Sequence, residues 1–305
     1  MFGFRIKEAS QASFTLYLDA KSYSMASVDA HRRVLFAESR ALKEKNDPLL
    51  ERSLAGDVER LWLIGKSCRV ILASGLYQLL LMDAPNVSDD EMAKALKWQL
   101  KGQIDYPLND IVLYTLQVPL HGTGGQRKKV FVAITQLSQL KTRLAMLERV
   151  CLDVRSVHIS ELSLVKLVAI MPHDNQFPIM VISWHETVCQ IHVLFQNELF
   201  LVRELPLSSG LILKDTTTSQ HLLLELQRSF DYCQVELKLP EIKQVLLTPS
   251  FYGDEELLVY LNKELGKEIK WIDLNTLFTL ERPLSMKEQS DVLFCLGGAV
   301  ALENQ

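Results

Sequence analysis

The chain has 305 residues and a formal net charge of −4, from 33 basic and 37 acidic residues. The length predicts about two domains, and the charge balance offers no basic excess for a nucleic-acid partner. Hydrophobic residues make up 48% and charged residues 23% of the chain, an ordinary globular composition. The five cysteines lie far apart within apolar runs, which favours reduced core thiols in a reducing compartment.

The first residues do not form a targeting signal, because they lack the apolar stretch of a signal peptide. No window reaches the roughly 18 uninterrupted apolar residues of a membrane span. We therefore expect a cytoplasmic protein with a short disordered start. Phe2 and Phe4, beside Arg5 and Lys7, offer the alternative of weak contact with a membrane surface.

The first part of the chain alternates apolar and polar residues, which predicts three successive strands. They cover residues 13–19, 23–29 and 32–39. A helix follows, with Asp47 as its N-cap and Pro48 at its first position. Two apolar strands come next, in residues 68–74 and 77–85.

An amphipathic helix is predicted from Ser88, the N-cap, with Glu91 completing a capping box. Pro107 should end this helix, because proline disfavours helical geometry for the residue before it. Trp98 falls off the main apolar face. That face contains Met92, Ala93, Leu96, Leu100 and Ile104.

The rest of the first half predicts a hairpin in residues 110–120 and 128–136, then a helix, a strand and a helix closed by Pro172. Residues 172–178 are the best linker candidate, since two prolines bracket polar residues. The second half again begins with three strands and then alternates helix with strand. Such a repeated order predicts two α/β lobes, each a mixed sheet with helices against it.

This duplicated order resembles the actin-like (ribonuclease H-like) ATPase fold. Residues 95–118, 140–168, 193–210 and 245–274 are similar to segments of PilM-like type IV pilus assembly proteins, and the start MFGF also fits. Within that family the likeness is strongest to the branch of mannose-sensitive haemagglutinin (MSHA) pilus systems. The similarity spans nearly the whole chain, with each piece weak alone.

The resemblance implies an α/β, two-lobed actin-like fold with a first lobe in residues 1–175 and a second in 176–305. A subdomain would be inserted in the first lobe at about residues 86–136, and the helix in 291–303 could pack back on that lobe. PilM-like proteins are cytoplasmic components of the inner-membrane pilus platform and bind the N-terminal tail of a PilN-type membrane protein. The resemblance leaves open two further partners for this chain, a pilus assembly ATPase and a second copy of the chain itself.

Many members of that family bind ATP, so we compared the loops that would hold phosphate, where glycine permits close backbone approach. Asp19 is followed by Ala20-Lys21 instead of Ile-Gly, and Ser183-Trp184-His185 replaces a second Asp-Ile-Gly. Thr248-Pro249-Ser250-Phe251 replaces Ser-Gly-Gly-Gly. The loops at Asp19, Ser183 and Thr248 are degenerate, and we expect neither ATP nor magnesium to bind and no catalysis.

The resemblance therefore implies a non-enzymatic scaffold with a groove for a membrane-protein tail. Trp98, Tyr106, Leu108 and Tyr114 are the candidate partner-binding residues, and packing within their own subdomain is the alternative role of each. Two alternatives stay open at this point: an ATP-binding protein or ATPase with a rearranged site that uses Asp19, and the cytoplasmic domain of a type II secretion platform protein.

Two other patterns predict no ligand site. His185, Cys189 and His192 cannot converge on one metal in a strand, because His192 points away from the other two. Gly297-Gly298 lies within an apolar helix pattern and predicts close helix packing.

Overall fold

The computed structural model describes residues 2–5, 13–119, 128–184, 188–207, 215–249 and 255–300, with only the backbone described for residues 2–5, 89 and 216. It contains fourteen strands and eight helices within these residues. The strands are β1 Phe2–Arg5, β2 Phe14–Leu18, β3 Ser22–Val28, β4 Val34–Ala41, β5 Ser67–Leu72, β6 Gln78–Asp83, β7 Ile111–Gln117, β8 Lys129–Gln136, β9 Asp153–Ile159, β10 Ile179–Trp184, β11 Cys189–Phe195, β12 Glu198–Leu205, β13 Gln244–Leu247 and β14 Glu268–Trp271. The helices are α1 Asp47–Arg60, α2 Asp89–Gln99, α3 Leu137–Arg149, α4 Ser160–Ala169, α5 Thr216–Val235, α6 Glu255–Leu265, α7 Leu274–Leu277 and α8 Met286–Ala299.

The first sheet has the strand order β1-β4-β3-β2-β5-β9. β2, β5 and β9 run parallel to one another, whereas β2, β3 and β4 form an antiparallel meander and β1 pairs antiparallel with the outer edge of β4. Side chains of this sheet and of α1 and α3 form one apolar core, in which Leu16, Leu54 and Leu147 are fully buried. The parallel strands are joined by helical crossovers, as parallel pairing requires.

The second sheet repeats this order in the second half of the chain, as β12-β11-β10-β13-β14. β10 pairs in parallel with β13, and β13 pairs in parallel with β14. β10, β11 and β12 form the antiparallel meander. The duplicated strand–helix order predicted from the sequence is confirmed.

The inserted subdomain is a three-stranded antiparallel sheet in the order β6-β8-β7, covered on one face by α2. Its sheet begins at Gln78, eight residues before the sequence-derived position of the insertion, because β6 pairs with β8 over six residues. The hairpin of β7 and β8 is confirmed. A separate small core fills the space under α2, with Leu96 and Leu100 fully buried.

The chain divides into two compact units. Unit 1 comprises residues 1–118, 125–164 and 294–305, and unit 2 comprises residues 119–124 and 165–293. The last part of α8 therefore belongs to unit 1. There the ring of Phe294 stacks on Tyr17 at a centroid distance of 5.1 Å, and the Arg69 guanidinium donates to the Gly298 carbonyl at 2.7 Å.

Gly298 allows α8 to pack closely against the first sheet, as its position in an apolar helix pattern predicts. A Cβ atom at this position would lie 2.0 Å from Ile71 Cδ1 and 3.0 Å from Thr15 Cγ2. Any larger side chain would therefore displace a side chain of the first sheet.

Four local predictions were wrong. The chain start is an edge strand, β1, since Phe2–Arg5 pairs with β4. The N-cap of α1 is Asn46, whose side chain accepts from the Leu49 N–H. The amphipathic helix α2 ends at Gln99, well before Pro107, and Gly102 follows in the left-handed region with a φ of 83°. Ala93, predicted to lie on the apolar face, is exposed, and Ile104 joins the subdomain core from beyond the end of the helix.

Among the described residues, no helix combines the length and apolarity needed to cross a membrane.

Candidate functional site

The turn after β2 holds Asp19 in place through its own hydrogen bonds. The Asp19 carboxylate accepts from the Ala20 N–H at 2.6 Å and from the Ser22 hydroxyl at 3.5 Å. The Asp19 N–H in turn donates to the Ser22 carbonyl at 2.9 Å. Both carboxylate oxygens thus have local donors in a turn that lacks the glycine of a phosphate loop.

Ser183 and Thr248 lie on neighbouring strand ends in unit 2. The Thr248 N–H donates to the Ile182 carbonyl at 3.0 Å, which extends the pairing of β13 with β10. Ser183 is buried, and its hydroxyl has no hydrogen-bond partner among the described residues; the same is true of the Trp184 indole N–H. His185, Ser250 and Phe251 lie outside the described residues.

Cys189 and His192 are both buried on β11. Cys189 lies opposite Trp184 and His192 opposite Val181, so the two side chains point to opposite faces of the sheet. Burial raises the pKa of the Cys189 thiol above its usual value. No group of three metal-ligating side chains is found in the part of the chain that the structure describes.

A buried polar cluster that the sequence analysis missed joins the beginning of the inserted subdomain to α4. The Tyr77 hydroxyl bonds to the Ser160 hydroxyl at 2.7 Å and donates to the Glu161 carboxylate. Burial, and then the negative charge of Glu161, raise the pKa of Tyr77 well above its usual value. Such a neutral phenol donating to a carboxylate is a structural tether, and no sequence motif marks it because the partners are 83 and 84 residues apart.

The four candidate partner-binding residues do not lie on one surface. Tyr106 and Leu108 are half-buried and pack against the small core under α2. Both therefore contribute to the packing of the subdomain, and only part of each side chain is exposed.

Trp98 and Tyr114 are both largely exposed, at 66% and 56% of their surface. Trp98 lies on α2, and Tyr114 lies in the middle of β7. Leu113, the residue before Tyr114, packs into the core under α2. Because successive strand residues point to opposite faces, Tyr114 lies on the sheet face away from α2.

The face that carries Tyr114 also meets the main core of unit 1. Ala133 is directly opposite Tyr114 on β8, and Leu79 is opposite Ala133 on β6. Ala133, Leu79 and Leu116 contact the first-sheet core. Tyr114 therefore lies on the same face of the three-stranded sheet as these core residues, but at the edge of the sheet. Among the described residues, its strand β7 pairs with a neighbour on one side only.

The N-terminal end of α3 fixes the position of β7. The Asp110 carboxylate accepts from the Ser138 N–H at 2.9 Å and from the Ser138 hydroxyl at 2.6 Å. On the other face, the Lys97 ammonium donates to the Ile111 carbonyl at 3.4 Å. β7 is therefore held at its beginning by contacts to both α2 and α3.

Three solved structures share this fold. A chain of the PilM–PilN type IV pilus biogenesis complex is 18% identical and superposes with a TM-score of 0.70 over 95% of this chain and 98% of that chain. The cytoplasmic domain of EpsL, an inner-membrane component of the type II secretion system of Vibrio cholerae, is 14% identical, with a TM-score of 0.51 over 93% and 94% of the two chains. A Bacteroides thetaiotaomicron protein with an actin-like ATPase fold and unknown function is 12% identical, with a TM-score of 0.53 over 94% and 97%.

No protein-family model matches the sequence, and no curated protein matches it. The structural similarity, together with the duplicated sheet order, defines the class of fold. The chain has a PilM-like, actin-like ATPase fold with two α/β lobes and a subdomain inserted in the first. The fold predicted from the sequence is thereby confirmed.

Proposed function

We propose that this protein is a non-enzymatic scaffold of a type IV pilus inner-membrane assembly platform and binds the cytoplasmic tail of a PilN-like membrane protein. One observation carries the proposal: the similarity to a chain of the PilM–PilN complex extends over 95% of this chain, including the inserted subdomain. The sequence resemblance to MshI, the PilM-like protein of MSHA pilus systems, supports proposing that type of pilus. The protein would be cytoplasmic and reach the membrane through its partner.

The tail would bind along β7 at Tyr114. An extended peptide can add to an exposed strand edge through main-chain hydrogen bonds, with side-chain contacts giving specificity. β7 offers such an edge in the described structure, and Tyr114 displays a large aromatic ring there. Aromatic residues dominate the binding energy of many interfaces.

Synthetic peptides of PilN-like N-terminal tails, titrated against the full chain by calorimetry, would test this function. Tyr114→Ala should weaken binding by about tenfold or more, as expected for an interface aromatic. Trp62→Ala is the matched control, because Trp62 is 72% exposed in the loop after α1, outside the subdomain. Leu108→Asp is unsuitable, since it would introduce a charge into the small core.

Two results would refute the tail site. One is the absence of binding to every tail tested, and the other is an equal effect of Tyr114→Ala and Trp62→Ala. Tails of type II secretion proteins belong in the same titration, because the EpsL domain shares the fold. A preference for those tails would assign the chain to a secretion platform instead of a pilus.

We also propose that the scaffold works without ATP. The supporting observations are the glycine-free turn at Asp19, whose carboxylate is engaged by Ala20 and Ser22, and the glycine-free strand ends at Ser183 and Thr248. Calorimetric titration with ATP and Mg²⁺ should give no binding heat. A dissociation constant in the micromolar range would contradict this part of the proposal and favour an ATP-binding protein.

A further inference from the structure

Tyr77 lies where the chain enters the inserted subdomain. It directly precedes β6, and only 9% of its surface is exposed. The connection at the other end of the subdomain meets the same place, because the Thr135 hydroxyl near the end of β8 donates to the Leu76 carbonyl at 2.9 Å. Tyr77 therefore belongs to the base of the subdomain, where both connections to the first lobe come together.

The Tyr77 hydroxyl also caps the beginning of α4. The residue before this helix is Ile159, whose apolar side chain cannot accept a hydrogen bond from a helical N–H. The Tyr77 hydroxyl accepts instead from the Ser160 N–H, at 3.2 Å. A backbone donor that the helix leaves without an internal partner is thus satisfied by a residue 83 positions away.

The remaining bonds of this hydroxyl go to the same turn of α4. It accepts from the Ser160 hydroxyl at 2.7 Å and donates its own proton to the Glu161 carboxylate. Ser160 and Glu161 are 2% and 1% exposed. Buried polar groups that lose a partner are costly, because water does not replace it. Movement of Tyr77 away from α4 would therefore weaken the first turn of the helix.

We infer that the Tyr77 hydroxyl makes the inserted subdomain and α4 one cooperative unit, so that loosening the subdomain releases the first turn of α4. The chain passes from unit 1 to unit 2 within this helix, between Leu164 and Val165. Anything that tightens or loosens the subdomain would therefore change the stability of the helix that joins the two units. The inference does not depend on which partner the subdomain binds, or on the site proposed at Tyr114.

Apolar packing is the competing route for such coupling. The ring of Tyr77 and the side chain of Ile159 belong to the same core, and Leu79 of the subdomain and Leu162 of α4 pack against it. The two routes can be separated, because Tyr77→Phe deletes the hydroxyl and keeps the ring.

Hydrogen exchange of the full chain, followed by mass spectrometry, would test the inference. Leu96→Ala opens a cavity in the small core under α2 and should speed exchange in β6, β7 and β8 by about tenfold or more. Exchange at the start of α4 should then rise by about threefold or more if the two regions open together. Ile134→Val, in the same core, is the milder variant should Leu96→Ala not fold, with a rise of about threefold expected in both regions.

Tyr77→Phe should disconnect the two regions. By itself it should speed exchange at the start of α4 by about tenfold, as expected for a lost hydrogen bond to a charged group. Adding Leu96→Ala should still expose the strands but change α4 by no more than about twofold. Tyr23→Phe is the matched control: it deletes a hydroxyl that donates to a buried carboxylate of the same unit, that of Asp57 on α1, and should preserve the response of α4.

Three results would overturn the inference. If α4 does not respond when Leu96→Ala or Ile134→Val loosens the strands, the subdomain opens alone. An equal response with and without Tyr77→Phe would assign the coupling to apolar packing around Ile159. Loss of the response in Tyr23→Phe as well would show a general loosening of unit 1, with no specific part for Tyr77.

Discussion

Each repeat of the fold contains a carboxylate held between two arginines, and the carboxylate is buried more deeply in the first repeat than in the second. In the first, Asp57 on α1 accepts two hydrogen bonds from Arg40 on β4, at 2.9 and 2.8 Å, and one from Arg60 at 2.9 Å. In the second, Glu225 on α5 contacts Arg203 on β12 at 3.4 Å and Arg228 at 2.5 Å. In each repeat, the acidic residue contacts one arginine on the last strand of the meander, β4 or β12. It also contacts a second arginine, three residues later in the chain than the acidic residue itself.

The difference lies in the second strand of each repeat. Tyr23 is opposite Arg40 in the first sheet, and its hydroxyl donates to Asp57 at 2.6 Å. Ile191 is opposite Arg203 in the second sheet and offers no donor. The side chain of Asp57 is 5% exposed, whereas that of Glu225 is 12% exposed. A carboxylate can be buried more deeply where more donors surround it, because each donor offsets part of the lost hydration.

The strongest test of this comparison removes each carboxylate in turn. Asp57→Ala should destabilise unit 1 by about 3 kcal/mol, because Arg40, Arg60 and the Tyr23 hydroxyl all lose a buried acceptor. Glu225→Ala should cost about 1 kcal/mol, since Glu225 is itself more exposed than Asp57 and has no tyrosine donor. Urea unfolding, with hydrogen exchange of α1 and α5 measured separately, would resolve the two effects. Equal losses would show that burial does not separate the repeats.

Acid should affect the first repeat through the same carboxylate. Burial alone would raise the pKa of Asp57, but hydrogen bonds from Arg40, Tyr23 and Arg60 outweigh it and hold that pKa below its usual value. A depressed pKa in the folded state means that this stabilisation is full above the unfolded pKa of about 3.9 and is lost as pH falls through the folded value.

The pH effect should be smaller than that of Asp57→Ala, because a protonated carboxyl still fills the site. Hydrogen exchange of α1 between pH 5 and pH 2 would measure it. Asp57→Asn should flatten the dependence in that range. An unchanged slope in Asp57→Asn would assign the acid sensitivity to other carboxylates.

Removing the Tyr23 hydroxyl should destabilise the first repeat less than Asp57→Ala or acidification does. Tyr23→Phe deletes only the hydroxyl that donates to Asp57, and should cost about 2 kcal/mol, as for other hydrogen bonds to charged groups. Tyr232→Phe is the control in the second repeat, where the ring lies 5.7 Å from the Arg203 guanidinium, and a change below about 0.5 kcal/mol is expected. Thermal unfolding would compare the midpoint temperatures of the two variants. A similar decrease in both would show that Tyr23 does not distinguish the first repeat from the second.

The fold class could be predicted from the sequence because it depends on local periodicity. Alternating apolar residues predicted β2, β3 and β4, and the repeated succession of strands and helices predicted two lobes. The end of α2 could not be predicted in the same way. Pro107 was the obvious stop signal, but Gly102 in the left-handed region turns the chain earlier.

The candidate site was only partly accessible from the sequence. Trp98 was recognised as lying off the apolar face of its helix, and it is exposed. Tyr106 and Leu108 could not be distinguished from surface residues, because their burial depends on contacts with the three-stranded sheet. The separation of Trp98 from Tyr114 likewise depends on the register of β7 and on the face that α2 covers.

The sequence by itself determined the alternation of strands and helices and the duplication, since these follow from residue type and spacing along the chain. Only the tertiary structure decided which acidic residue is buried and which aromatic ring stays in water. Those properties depend on residues that meet across the fold, as Tyr23 and Asp57 do from 34 positions apart, and spacing along the chain carries no information about such contacts.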